Sequence, residues 1–204
     1  MQNTTRMGAS PSHTRPPDPS NGRGAVVLGI DPGTASTGFG LVERCGGTFV
    51  SLGGGVISTR AEEPLERRLA AIASCLEELI EAHCPSALAV EDIFFGRNVR
   101  TAFAVGQARG AVLATAGAIG IPCFPYTPQA VKLAVCGSGR AGKDQVQRMV
   151  AALLALPDPP ESDHAADALA LAICHASQMP LERSPSAAKA SDGLSEGRAR
   201  IPNT

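Results

Sequence analysis

The chain has 204 residues and a formal net charge of −1, so it offers room for one ordinary domain plus tails, and its charge must be examined locally rather than as a total. No uninterrupted apolar run is long enough for a transmembrane helix and the N-terminus has no apolar signal region, which points away from the membrane. The six cysteines (45, 75, 84, 123, 136 and 174) form no C-x-x-C pair; several fall inside apolar helical patterns and read as reduced core residues of a cytoplasmic protein.

Residues 1–24 and 180–204 are rich in Pro, Ser, Asn and Gly and have little to bury, so both are expected to be disordered tails around one domain spanning 25–179. That domain opens with three strand-like runs, 25–31, 36–44 and 48–58, joined by Gly-containing turns and hence an antiparallel meander. Residues 64–82 place Leu65, Leu69, Ile72, Leu76, Leu79 and Ile80 at helical spacing, with charges on the opposite face. A buried strand follows at 86–91, then a long Ala/Gly-rich helix at 98–119 and a short strand near 121–126. Helices are expected at 128–135, 143–155 and 163–178, separated by Pro and Gly. Three antiparallel strands followed by strand–helix alternation predict an α/β fold with a mixed sheet covered by helices.

Two of the buried strands end on acids. "VVLGID" stops at Asp31 and "LAVED" carries Glu91. If these strands are parallel neighbours, about 4.8 Å apart, both carboxylates emerge at the same sheet edge. The last helix begins "SDHAADALALAICHA". It is apolar nearly all round after its first turn, so it should be buried, and His164 and Asp167 share a face. Each residue alone has a plainer reading: a turn carboxylate, a solvated strand end, a helix N-terminus capped by Ser162, a surface histidine. Taken together they describe an oxygen-rich site for Mg²⁺ or Mn²⁺, of the kind that can hold two ions and cleave a phosphodiester.

"GIDPGTASTGFG", "AVEDIFFGRN", "GQARG", "QAVK" and "HAADALALAICH" lie in the order and spacing of the RuvC Holliday-junction resolvases. The chain resembles that family over residues 25–178. The resemblance implies an RNase H-like mixed five-stranded sheet flanked by helices, and a homodimer. It implies Mg²⁺-dependent nicking of two strands at a four-way DNA junction, with two ions per subunit and Mn²⁺ as a substitute. It also implies a role in recombination and repair beside the RuvA–RuvB branch-migration complex. Carried over by position, the catalytic and metal-binding residues are Asp31, Glu91 and Asp167, with His164 at a fourth position where many members have Asp. Asp163 is one residue out of register.

From Arg97 to Arg148 seven basic residues face one acid, Asp144, a local positive stretch suited to phosphates. The expected DNA contacts are Arg97, Lys132, Arg140 and Lys143. The resemblance implies that Lys132 and Lys143 lie near the scissile backbone and that Phe94 stacks on a base at the junction point. Two other enzyme readings remain at this level: an actin-like phosphate-binding ATPase, suggested by "DPGT", and another RNase H-like nuclease acting on RNA or a different branched DNA. A non-enzymatic junction binder would be expected to lack one of the carboxylates, and Asp31, Glu91 and Asp167 are all present.

Overall fold

The computed structural model describes residues 24–92 and 99–180. The expected tails, apart from their inner edges, and positions 93–98 lie outside the described residues. The elements run β1 (Ala25–Asp31), β2 (Ser36–Cys45), β3 (Thr48–Ser58), α1 (Leu65–His83), β4 (Ala87–Glu91), α2 (Val99–Ile119), β5 (Cys123–Tyr126), α3 (Pro128–Cys136), α4 (Lys143–Leu153) and α5 (Asp163–Gln178). The five strands form one sheet in the order β3-β2-β1-β4-β5. The β1–β2 and β2–β3 pairs are antiparallel, and the β1–β4 and β4–β5 pairs are parallel. This is the mixed sheet expected from the strand pattern.

Alternation along the strands sorts the core into two layers. On one face Leu28, Ile30, Leu41, Leu88 and Val90 pack with Ile72, Leu76 and Leu79 of α1 and with Ala108, Val112 and Ala116 of α2. On the other face Val27, Val42 and Ala89 pack with α3, α4 and α5. Helix α5 is buried from Ala165 to Ala176 except at Asp167. As its nearly all-round apolar pattern requires, it is the central helix of that face.

Local signals account for the helix ends. Thr127 caps α3 by accepting the Ala130 N–H at 3.2 Å, Pro128 opens it, and Gly137 closes it at φ 71°, where a side chain would be strained. Three details depart from expectation. α4 ends at Leu153 rather than 155, with Ala155 at φ 50°. Ser162 precedes α5 without a side-chain cap hydrogen bond. All six cysteines are free, and Cys75 and Cys174 are buried, but Cys45 and Cys84 are exposed, so the core reading of the cysteines holds for only some of them.

The stretch Ala102–Ile119 of α2 is long and apolar enough to cross a membrane, with mean hydropathy 1.2. Its inner residues Ala108, Val112 and Ala116 are fully buried in the protein core. Its outer side exposes Phe103 and Ile119, and a Cβ added at Gly110 or Gly117 would meet nothing.

Candidate active site

The site begins with how closely α5 lies on the sheet. Gly29 of β1 pairs with Gly40 of β2, and Asp31 pairs with Gly38. A Cβ on Gly29 would stand 2.0 Å from the Ala168 carbonyl oxygen, and one on Gly38 would stand 2.0 Å from that of His164. A Cβ on Gly40 would fall 2.7 Å from the Leu169 nitrogen. The backbone of α5 therefore rests directly on a patch of bare sheet, a close approach that only glycine permits. Gly29, Gly38 and Gly40 of "GIDPGTASTGFG" are the seat of the last helix, and that seat puts the start of α5 over the end of β1.

The short side chains at the start of α5 can then reach the strand ends. His164 Nδ1 lies 2.7 Å from Asp31 Oδ2. Asp31 is buried, and the loop after it is tied by Thr37, whose hydroxyl donates to the Gly33 carbonyl at 2.6 Å. β4 runs parallel beside β1, with Ile30 opposite Val90, so Glu91 ends its strand level with Asp31.

The electrostatics show that the acids share one neighbourhood. The Glu91 carboxyl is pushed up to about 7, first by burial, then by the charges of Asp31 and Asp167 and a hydrogen bond with Asp31; His164 acts in the opposite sense. Asp167 is also raised, first by burial and then by Asp31, while Lys143 and His164 partly relieve it. Like charges held together out of water raise each other's cost of ionisation. Such crowding of acids at a sheet edge is characteristic of functional sites.

Among the described residues, no three His, Cys, Asp or Glu side chains form a ready-made metal cage. The donor set nonetheless fits a divalent cation. Three carboxyls and an imidazole form an oxygen-rich set suited to Mg²⁺ or Mn²⁺. A cation among them would offset both the burial of these charges and their mutual repulsion, which together drive Glu91 and Asp167 upward.

Asp163, the residue beside the expected fourth position, faces elsewhere. Its carboxylate accepts from Lys143 Nζ at 3.0 Å and from Gln147 Nε2 at 2.7 Å. Both donors come from one face of α4. The hydrogen bond and charge of Lys143 lower the Asp163 carboxyl from its ordinary value. The two neighbours thus divide: His164 joins Asp31, and Asp163 joins α4.

Among the expected DNA contacts within the described residues, Lys143 acts on the acids. Asp163 raises its ammonium first, and the charges of Asp167 and Asp31 add to this. Lys132 is half-buried on α3 and Arg140 is exposed between α3 and α4, in the layer that also carries α5. Phe94 and Arg97 lie outside the described residues. Arg109, counted in the basic stretch, turns inward instead: its Nε donates to the Glu91 carbonyl at 3.2 Å and its Nη2 lies 3.6 Å from Asp92 Oδ1. Sequence reasoning missed this inward turn of Arg109 and the part played by Gln147. The signal for Arg109 was a lone charge in the stretch 102–119 of that helix.

The family model described as crossover junction endodeoxyribonuclease RuvC matches residues 27–175. The chain belongs to the RuvC family. It is 51% identical over 158 residues to the crossover junction endodeoxyribonuclease RuvC of Pelotomaculum thermopropionicum, covering 78% of this chain and 96% of that protein. The Moorella thermoacetica RuvC is 54% identical over 155 residues, covering 76% and 93%. Among solved structures, Thermus thermophilus RuvC in complex with Holliday junction substrate superposes with a TM-score of 0.72 at 41% identity, covering 74% of this chain and 93% of that one. The yeast mitochondrial Holliday junction resolvase Ydc2, at 13% identity and a TM-score of 0.56, shares the fold. The RuvC resemblance and the RNase H-like architecture read from the sequence both hold.

Proposed function

We propose that this RuvC-family protein is a crossover junction endodeoxyribonuclease that resolves Holliday junctions in recombination and repair. The observation that carries the reading is the glycine seat, which holds His164 against Asp31 at the sheet edge where β4 delivers Glu91. Family membership over residues 27–175 supplies the substrate class.

Asp31, Glu91, Asp167 and His164 would hold the metal, taken as two Mg²⁺ ions per subunit with Mn²⁺ as a substitute. When bound, such ions polarise the scissile phosphate and lower the pKa of water. Burial makes the chain's own contribution specific. Asp31 takes His164 on one carboxylate oxygen and shares a hydrogen bond with Glu91, a contact that a bound cation would replace. With Nδ1–H donated to Asp31, the neutral imidazole keeps its lone pair at Nε2, which can bind a cation or accept a proton from the attacking water. Asp31 fixes that tautomer and stabilises the ring if it becomes charged. Lys143, held at the rim by Asp163, has two further N–H donors for a phosphate. Lys132 and Arg140 extend the basic rim, with Arg97 and Phe94 assigned to the junction by resemblance alone.

Resolution requires two symmetric cuts, and one site cuts one strand, so the reading includes a homodimer matched to the junction's two-fold symmetry. The exposed side of α2, with Phe103, Gly110 and Gly117, is the face we assign to it, since small residues permit close helix approach. The cytoplasm and the RuvA–RuvB complex complete the proposed setting. The test is cleavage of a synthetic four-way junction, a linear duplex and a single-stranded flap, with and without Mg²⁺. Paired nicks in the junction alone, dependent on Mg²⁺, are expected. Equal cleavage of the flap or duplex would overturn the substrate assignment.

A further inference from the structure

We propose that Arg109 is a positioning residue for the nuclease reaction: from α2 its guanidinium fixes the end of β4, and with it the Glu91 carboxyl. This rests on the reading of Glu91 as a catalytic acid. Between residues 102 and 119 Arg109 is the lone charged side chain, and it is only 22% exposed. Taking a guanidinium partly out of water is costly unless its donors are used. Here they are used on one place. Nε donates to the Glu91 carbonyl at 3.2 Å and Nη2 reaches Asp92 Oδ1 at 3.6 Å.

That place is where the sheet runs out. The β1–β4 ladder ends at Ile30–Val90, one residue before Glu91. On the other side β5 still holds the strand, with Glu91 opposite Tyr126 and the Asp92 N–H donating to the Tyr126 carbonyl at 2.8 Å. Glu91 therefore has ladder support on the β5 side, while its carbonyl is secured by Arg109. The two Arg109 contacts fall on the Glu91 main-chain carbonyl and on the Asp92 carboxylate. Arg109 acts on the position of the main chain rather than on the charge of the acid. A planar fork with several donors suits two acceptors on adjacent residues, which a lysine ammonium on a flexible stem matches less well.

The experiment compares R109A, R109K and E91Q in the full-length protein. Single-turnover cleavage of a four-way junction is measured in Mg²⁺, junction binding in EDTA, and hydrogen exchange at the Asp92 amide. R109A should lose about 10–100-fold in cleavage rate, as small displacements of a catalytic group do, with junction affinity changed by less than about twofold. R109K should recover part of the loss, millimolar guanidinium should recover part of the R109A rate, and the Asp92 amide should exchange faster in R109A. Wild-type rates in R109A, or a fall in junction affinity matching the fall in rate, would overturn the proposal; the latter would make Arg109 a phosphate contact. If R109A does not fold, R109K carries the test, and a wild-type rate in R109K together with unchanged Asp92 exchange overturns it. E91Q separates the two levels: normal cleavage by E91Q would refute the catalytic reading of Glu91 itself, whatever Arg109 does.

Discussion

The two faces of the sheet solve different problems with the same strands. Along β1, Leu28 and Ile30 point to α1 and α2 and are fully buried there. Val27 and Gly29 point to α5. The first face is filled by branched side chains and holds its helices at ordinary packing distance. The second is pared to glycine where α5 crosses, so that backbone meets backbone. One face is built to exclude water and the other to set a distance. Asp and His side chains are short, and His164 meets Asp31 at 2.7 Å only because the helix carrying it is seated so close. A substitution of given size should therefore do different damage on the two faces.

The largest expected effects fall on the acids at the end of the close face. D31N, E91Q and D167N should each reduce junction cleavage by on the order of 10³-fold while leaving junction binding largely intact, since the missing charge is needed at the site rather than at the basic rim. Rate measurements in Mg²⁺ beside binding in EDTA check this, and near-normal cleavage by any one removes that residue from the site.

Next comes the seat itself. G38A puts a Cβ 2.0 Å from the His164 carbonyl oxygen and should cost about 1–3 kcal/mol as an overpacking change, with a loss of cleavage out of proportion to it. I30V on the opposite face should cost about 0.5–1.5 kcal/mol and leave cleavage intact. Urea melts and cleavage rates on both variants would break the comparison if G38A cut normally or I30V did not.

The pair at the start of α5 sharpens it further. H164A should lose most activity, H164D should keep activity while lessening the preference for Mn²⁺ over Mg²⁺, and D163A should keep activity. A softer imidazole favours Mn²⁺ relative to an all-carboxylate set. An inactive D163A beside an active H164A would shift the site by one residue.

The smallest effect concerns stability. Glu91 is raised to about 7 in the fold, above its unfolded value near 4.3. The folded state then binds more protons than the unfolded state between those two values, so stability falls as pH rises through this window. In EDTA, E91Q should raise the melting temperature by about 2–5 °C at pH 7.5 relative to the parent and by little at pH 4, after allowing for the partial exposure of the group. Mg²⁺ should stabilise the parent protein at pH 7.5 and do so less in E91Q. A melting temperature for E91Q equal to or below that of the parent at pH 7.5 in EDTA would show that the crowding of acids carries no cost.

Much of this protein was legible in its sequence. Apolar runs, helical spacing and the Pro and Gly between segments placed the five strands and five helices of the described residues to within a residue or two, because burial of apolar side chains dominates local choice. The ends of "VVLGID" and "LAVED" marked two acids, and the spacing of His164 and Asp167 marked a shared helix face. The order of five motifs carried the family. Tertiary structure alone decided the rest. Periodicity states which face of a helix is apolar but not how near its backbone comes to a sheet, so the glycine seat emerged only when α5 was laid across β1 and β2. Adjacent residues on a helix point about 100° apart, and only the positions of Asp31 and α4 show that His164 turns to the first and Asp163 to the second. Charge counted along the chain put Arg109 in the basic stretch. In three dimensions it turns inward to Glu91 and Asp92, because a charge is recognised by its partners in space and not by its neighbours in sequence.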